Sequence, residues 1–168
     1  MTDAESTATS DSQGKRDTIR AELKTTRDAY HELLNSLSPE DWNKKSSNPA
    51  WSVGQLMWHI AWGNGFAPRG VDDCKKGRGF NPPQFITNTV NMLITRWGTG
   101  RATPKSVAEK YESVHADILS KLDEVGDDDW AKGTKMFGEV HTVESVLRSP
   151  VTHFKEHEAD ILKGLGRG

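Results

Sequence analysis

The sequence predicts an all-α protein, a bundle of four amphipathic helices with a short accessory helix between the second and the third. Three observations predict it. Apolar residues recur at spacings of three and four over four long stretches, which is how a helix that buries one stripe is written. Helix-start signals head three of those stretches, at Ser52, Thr103-Pro104 and Thr142. No segment alternates apolar and polar residues for long enough to make a half-buried strand.

Met1 to Lys15 is rich in Ser, Thr, Asp and Ala and lacks the basic and apolar regions of a signal peptide, so residues 1–15 read as a disordered arm. Residues 16–165 are then expected to form one domain. The first helix runs from Asp17 to Leu37, with Ile19, Leu23, Thr26, Tyr30, Leu33, Leu34 and Leu37 on one side, and Ser38-Pro39 stops it. Ser52 followed by Gln55 is a capping box, and Val53, Leu56, Met57 and Ile60 give the second helix its apolar face. That helix fades between Gly63 and Pro68. Arg69 to Pro83, with Gly77-Arg78-Gly79 and Asn81-Pro82-Pro83, reads as a long loop. Phe85 to Trp97 places Ile86, Val90, Leu93, Ile94 and Trp97 together as the accessory helix. After Thr103-Pro104, residues Val107, Tyr111, Val114, Ile118, Leu122 and Val125 line the third long helix. The fourth starts after Thr142, carries Val143, Val146, Leu147, Pro150, Phe154, His157 and Ile161, and ends at Gly164.

An internal echo accompanies this division. Leu37-Ser38-Pro39-Glu40-Asp41-Trp42 follows the first helix, and Val125-Gly126-Asp127-Asp128-Asp129-Trp130 follows the third. Trp51-Ser52-Val53 opens the second helix as His141-Thr142-Val143 opens the fourth. Two readings fit: a pair of similar helix hairpins, each with a Trp plugging one corner, or a coincidence of common helix-start signals.

Composition narrows the partners. The net charge of −2 is spread over interspersed acids and bases, without the basic surface that a nucleic-acid partner requires. Mean hydropathy is −0.70, and the longest apolar stretch, Met57 to Trp62, is broken by His59, so no membrane span is expected and a cytoplasmic location is. Cys74 is the one cysteine, which excludes an intramolecular disulfide and a Cys-rich zinc site. Its neighbours Asp72-Asp73 and Lys75-Lys76 push its acidity in opposite directions, and an incidental thiol is the favoured reading over a nucleophile.

The histidines carry the functional signal. His153 and His157 stand four apart on the fourth helix, so their rings share a face within its apolar stripe. An unpartnered imidazole there suffers a desolvation penalty, and a metal ion or a hydrogen-bonded core pair satisfies the two rings equally well. His59 lies on the flank of the second helix, where alone it reads as a boundary residue. His31 falls on a polar side, His115 on a flank and His141 just before a cap, and none is assigned to a site.

Three segments resemble the DinB family of helical proteins: Ser38 to Trp42, Trp51 to Ala61, and His153 to Ile161. The resemblance spans Asp17 to Gly164. It implies an up-down four-helix bundle with a long crossover loop, often a homodimer, with an open site for Zn²⁺ or Ni²⁺ at His59, His153 and His157. An absent fourth protein ligand is the pattern of a catalytic site. Asp160, a turn beyond His157, is either an acceptor that orients a ring N–H or a solvated carboxylate at the helix end. Pro150 departs from the family's usual residue and either kinks the helix or is tolerated.

Relatives of assigned chemistry are mostly thiol-dependent S-transferases or isomerases. The resemblance therefore implies transfer of bacillithiol, mycothiol, glutathione or a similar thiol to a small electrophile. Metal-assisted hydrolysis and a non-catalytic metal-binding or stress-response module are the alternatives. In either enzyme reading, Arg69, Arg78 and Phe80 are expected to wall a substrate pocket, and Trp58 and Trp62 are candidates for an interface.

Overall fold

The computed structural model describes residues 3–83, 94–95 and 98–167. Its helix starts are fixed locally. Ser52 Oγ accepts the Gln55 N–H at 3.3 Å while the Gln55 side chain accepts the Ser52 N–H at 2.8 Å. Thr103 with Ser106 and Thr142 with Ser145 form the same reciprocal pair. These caps open α3 (Val53–Gly63), α5 (Pro104–Asp123) and α6 (Val143–Gly164). They join α1 (Asp3–Ser36), the single turn α2 (Pro39–Trp42) and α4 (Ala67–Lys75). The molecule is mostly helical, and α1 and α3 each pack against both α5 and α6. No helix among the described residues is long and apolar enough to cross a membrane.

Three expectations are corrected. The first helix begins at Asp3 rather than Asp17, so most of the supposed arm is helical. Composition alone misses its tertiary anchors: Ser12 is buried, Arg16 donates to the Val125 carbonyl at 2.7 Å, and its guanidinium lies 5.8 Å from the Trp130 ring. Lys15 pairs with Asp11 one turn away, which further supports the helix. The stretch from Arg69 is not all loop, because α4 occupies Ala67–Lys75 and buries Val71 and Cys74. Pro68 falls in its first turn, where the missing N–H removes no intrahelical bond.

The third correction is a hairpin, β1 (Gly133–Met136) and β2 (Glu139–Thr142), with Gly133 opposite Thr142. Strands of four residues are too short for an alternation pattern to declare itself. Their turn is Phe137-Gly138, both with positive φ, 53° and 91°. The expected accessory helix over 85–97 falls largely outside the described residues; within them, Ile94 and Thr95 are helical.

The echo extends to side-chain chemistry. Asp41 Oδ2 accepts the Ser38 N–H at 3.1 Å, and Asp129 Oδ2 accepts the Gly126 N–H at 3.0 Å. Lys44 and Lys132, each three residues on, reach the other carboxylate oxygen at 2.8 Å. The next helix is tied back in the same way, Val53 N–H to the Lys44 carbonyl at 3.0 Å and Val143 N–H to the Lys132 carbonyl at 2.9 Å. Each Trp then closes its own core. Trp42 packs on the cluster around Tyr30, Met57, Ile60 and Phe154, and Trp130 is buried in the one around Leu23, Ile118, Leu122 and Leu147. Coincidence of start signals does not produce matched bonds at this many positions.

Candidate metal centre

α3 and α6 pack together and bring His59 to face His153 and His157. Ring centroids are 5.0 Å apart for His59 and His153, 5.1 Å for His59 and His157, and 4.9 Å for His153 and His157. One ligand nitrogen from each ring lies within 4.8 Å of the others, a span that one ion can bridge.

Each ring has its Nδ1 engaged. His153 Nδ1–H donates to Asn64 Oδ1 at 2.9 Å, and His157 Nδ1–H to Asp160 Oδ2 at 3.3 Å. His59 Nδ1 lies 3.2 Å from the Thr95 hydroxyl, which is able to accept likewise. Amide and carboxylate oxygens only accept, so in His153 and His157 the proton sits on Nδ1 and the Nε2 lone pair is left for a ligand. Asp160 is itself held, its Oδ1 accepting from Ser47 Oγ at 2.8 Å. Both oxygens of the carboxylate at the helix end are thus engaged.

Burial sets the charge. Desolvation, aided by the neighbouring imidazoles, lowers His59 from 6.5 to about 4 and His153 from 6.5 to about 3. Both rings are neutral at pH 7, the form in which imidazole ligates a cation. Trp51 covers the cluster, with centroids 4.5 Å from His59 and 5.9 Å from His157. Three neutral nitrogen donors fit Zn²⁺, Ni²⁺ and similar borderline ions.

Local sequence explains the placement. Pro150 lies inside α6 and leaves the Val146 carbonyl without its usual N–H, and Ser149 Oγ donates to that oxygen instead, at 2.7 Å. The proline is tolerated one turn before His153. Gly63 supplies the space for the ring: a Cβ at this position would stand 2.8 Å from His153 Cε1. Gly63→Ala is therefore expected to displace the imidazole and weaken metal binding by about tenfold or more, while helical circular dichroism is retained. Titration of the variant with zinc against a competing chelator measures this.

A cavity of about 540 Å³ opens beside the cluster, with His59, His153 and Asn64 on one side and Trp62, Phe66, Phe80 and Phe137 among its walls. Phe80 lies where the sequence places it. Arg69 and Arg78 do not line the cavity; Arg69 extends along α4 to Asp73 at 3.6 Å, and Arg78 is exposed. Phe137, from the unforeseen hairpin, takes their place. Trp62 stacks on Trp58 at 5.5 Å and faces the cavity.

The family model of the DinB superfamily matches residues 22–161. This chain belongs to the DinB superfamily. Among solved structures, the DinB-superfamily chain is similar to a mycothiol-dependent maleylpyruvate isomerase, with a TM-score of 0.68 and 15% identity. It is also similar to a histidine-to-alanine mutant of such an isomerase, with a TM-score of 0.67 and 14% identity. In both cases 87% of this chain is covered but only 60% of the isomerase, so the chain spans under two thirds of that protein. At this identity the likeness concerns the fold. No curated protein sequence matches.

The other histidines of this DinB-superfamily chain stay apart from the cluster. His31 Nε2 lies 2.5 Å from Glu112 Oε1, beside Arg27, which also pairs with Glu112. His115 stacks on Tyr111, and the His141 carbonyl accepts from the Cys74 thiol at 3.3 Å. Burial pushes that thiol up, away from reactivity. Asn64, Thr95 and Trp51 were not legible as site residues, because each meets its histidine only through the tertiary fold, and Ser47 was not because it reaches Asp160 from a distant part of the chain.

Proposed function

We propose that this chain is a thiol S-transferase that holds one divalent cation, Zn²⁺ or Ni²⁺, at His59, His153 and His157. One observation carries the reading: three imidazoles, each with Nδ1 engaged, converge, and two of them, His59 and His153, stand on the wall of a cavity whose lining is mostly apolar. When bound, such a cation stabilises the deprotonated form of a low-molecular-weight thiol, the nucleophile that attacks an electrophilic carbon.

The chain's own residues prepare for this. Burial keeps His59 and His153 unprotonated, and Asn64, Asp160 and Thr95 fix which nitrogen faces inward. Trp51 covers the imidazoles, and Trp62, Phe66 and Phe80 give an aromatic lining to the side where the electrophile enters. The fold neighbours, named as mycothiol-dependent, support a thiol of that class. The same reading takes the long helices as an up-down bundle with a long crossover, residues 16–165 as one domain, and the working form as a cytoplasmic homodimer.

Cobalt-substituted protein titrated with mycothiol, bacillithiol and glutathione tests the reading. A new near-ultraviolet absorption band with one of them is expected, followed by conjugate formation when an alkylating electrophile is added. No spectral change with any thiol, together with unaltered conjugation in His59→Ala, overturns it.

A further inference from the structure

Exposed apolar surface is concentrated at one place. Of the five large apolar side chains exposed among the described residues, four, Phe66, Phe80, Ile94 and Phe137, line the cavity beside the histidines. Apolar surface that the core does not use marks a binding face. Phe137 is the most telling. Its φ of 53° belongs to the left-handed region, which asparagine and glycine enter readily and a bulky aromatic residue only under strain. Packing does not offset that strain, since the side chain is 59% exposed.

The strained residue is also held firmly. Phe137 N–H donates to the Phe80 carbonyl at 2.9 Å, and Phe80 N–H to the Lys135 carbonyl at 3.2 Å. Gly138 N–H donates to Asn81 Oδ1 at 2.8 Å, and Asn81 Nδ2 to the same Lys135 carbonyl at 3.1 Å. The two phenyl rings consequently meet edge to face at 5.7 Å. A second edge-to-face pair, Trp62 and Phe66 at 4.8 Å, also lines the cavity. Glu156 is its one formally charged lining residue among those described.

We propose that this cavity takes a planar, apolar electrophile without negative charge, held by the Phe80–Phe137 and Trp62–Phe66 pairs and screened against anions by Glu156. The assignment rests on the reading of the cavity as the electrophile side of a thiol-transfer site. Aromatic pairs present both faces and edges, which favour a flat ring, and a carboxylate at the wall repels a second carboxylate.

Calorimetric titration of the full-length protein as purified, without thiol, separates the possibilities with two probes that share a ring: methyl para-nitrobenzoate and para-nitrobenzoate. The ester is expected to bind more tightly than the acid by about tenfold or more, and Glu156→Gln to narrow that ratio to about threefold or less. Phe137→Asn, which suits the left-handed turn, is expected to melt no lower than the parent and to bind the ester about three- to tenfold more weakly. Phe137→Leu keeps apolar bulk without the ring and is expected to show the same loss. Equal or tighter binding of the acid, or unchanged ester affinity in both Phe137 variants, overturns the proposal. Neither probe requires a thiol, so absence of the cobalt–thiol band leaves the ester result standing, and the reverse also holds.

Discussion

Alanine in place of His153 is expected to abolish stoichiometric metal binding, lowering affinity by about 100-fold or more. The substitution removes one of three convergent nitrogens and leaves the buried Asn64 carboxamide at the cavity wall without that partner. His157→Ala is expected to do the same. His31→Ala is the control, since that ring pairs with Glu112 on α5, away from the cluster. Elemental analysis of untagged, reconstituted and desalted protein reads the outcome. A parent chain holding less than about a tenth of an equivalent would remove the site altogether.

Stripped of metal, the protein is expected to lose on the order of several kcal/mol of stability between pH 6.5 and pH 3. Above 6.5 both the folded and the unfolded chain carry His59 and His153 neutral, so the two residues add no pH dependence. As pH falls through 6.5 the unfolded chain binds protons first, because burial has lowered the folded values to about 4 and about 3. Stability therefore drops across that window and levels off below it. Urea denaturation midpoints across the range check the slope, and His59→Gln is expected to flatten it. A profile identical in parent and variant would show that these imidazoles are already solvated in the metal-free chain.

Much of the fold was legible because helix starts are local events. Ser52, Thr103 and Thr142 each find their partner three residues away, so the cap declares itself in sequence. α4 was not legible, because Pro68 reads as a stop unless one knows that it stands in a first turn. In the N-terminal half of α1, the Arg16 bond to the Val125 carbonyl is a contact that no local pattern encodes. The candidate site divides along the same line. The His153–His157 spacing was visible, whereas the acceptors on Nδ1 were visible only for Asp160, which lies on the same helix. Asn64 and Thr95 come from other parts of the chain. Phe137 was hidden because its turn joins strands too short to register.

The repeated corners have a last consequence for the imidazole cluster. Counted from the matching caps Ser52 and Thr142, the position of His59 on α3 corresponds to Ser149 on α6, and the position of His153 corresponds to Gly63. The residue equivalent to one ligand is thus the glycine whose missing side chain leaves room for that ligand's ring. A symmetric arrangement would ask two imidazoles to share the volume of one. The scaffold is written twice, but steric exclusion across its pseudo-dyad lets the cluster be written only once.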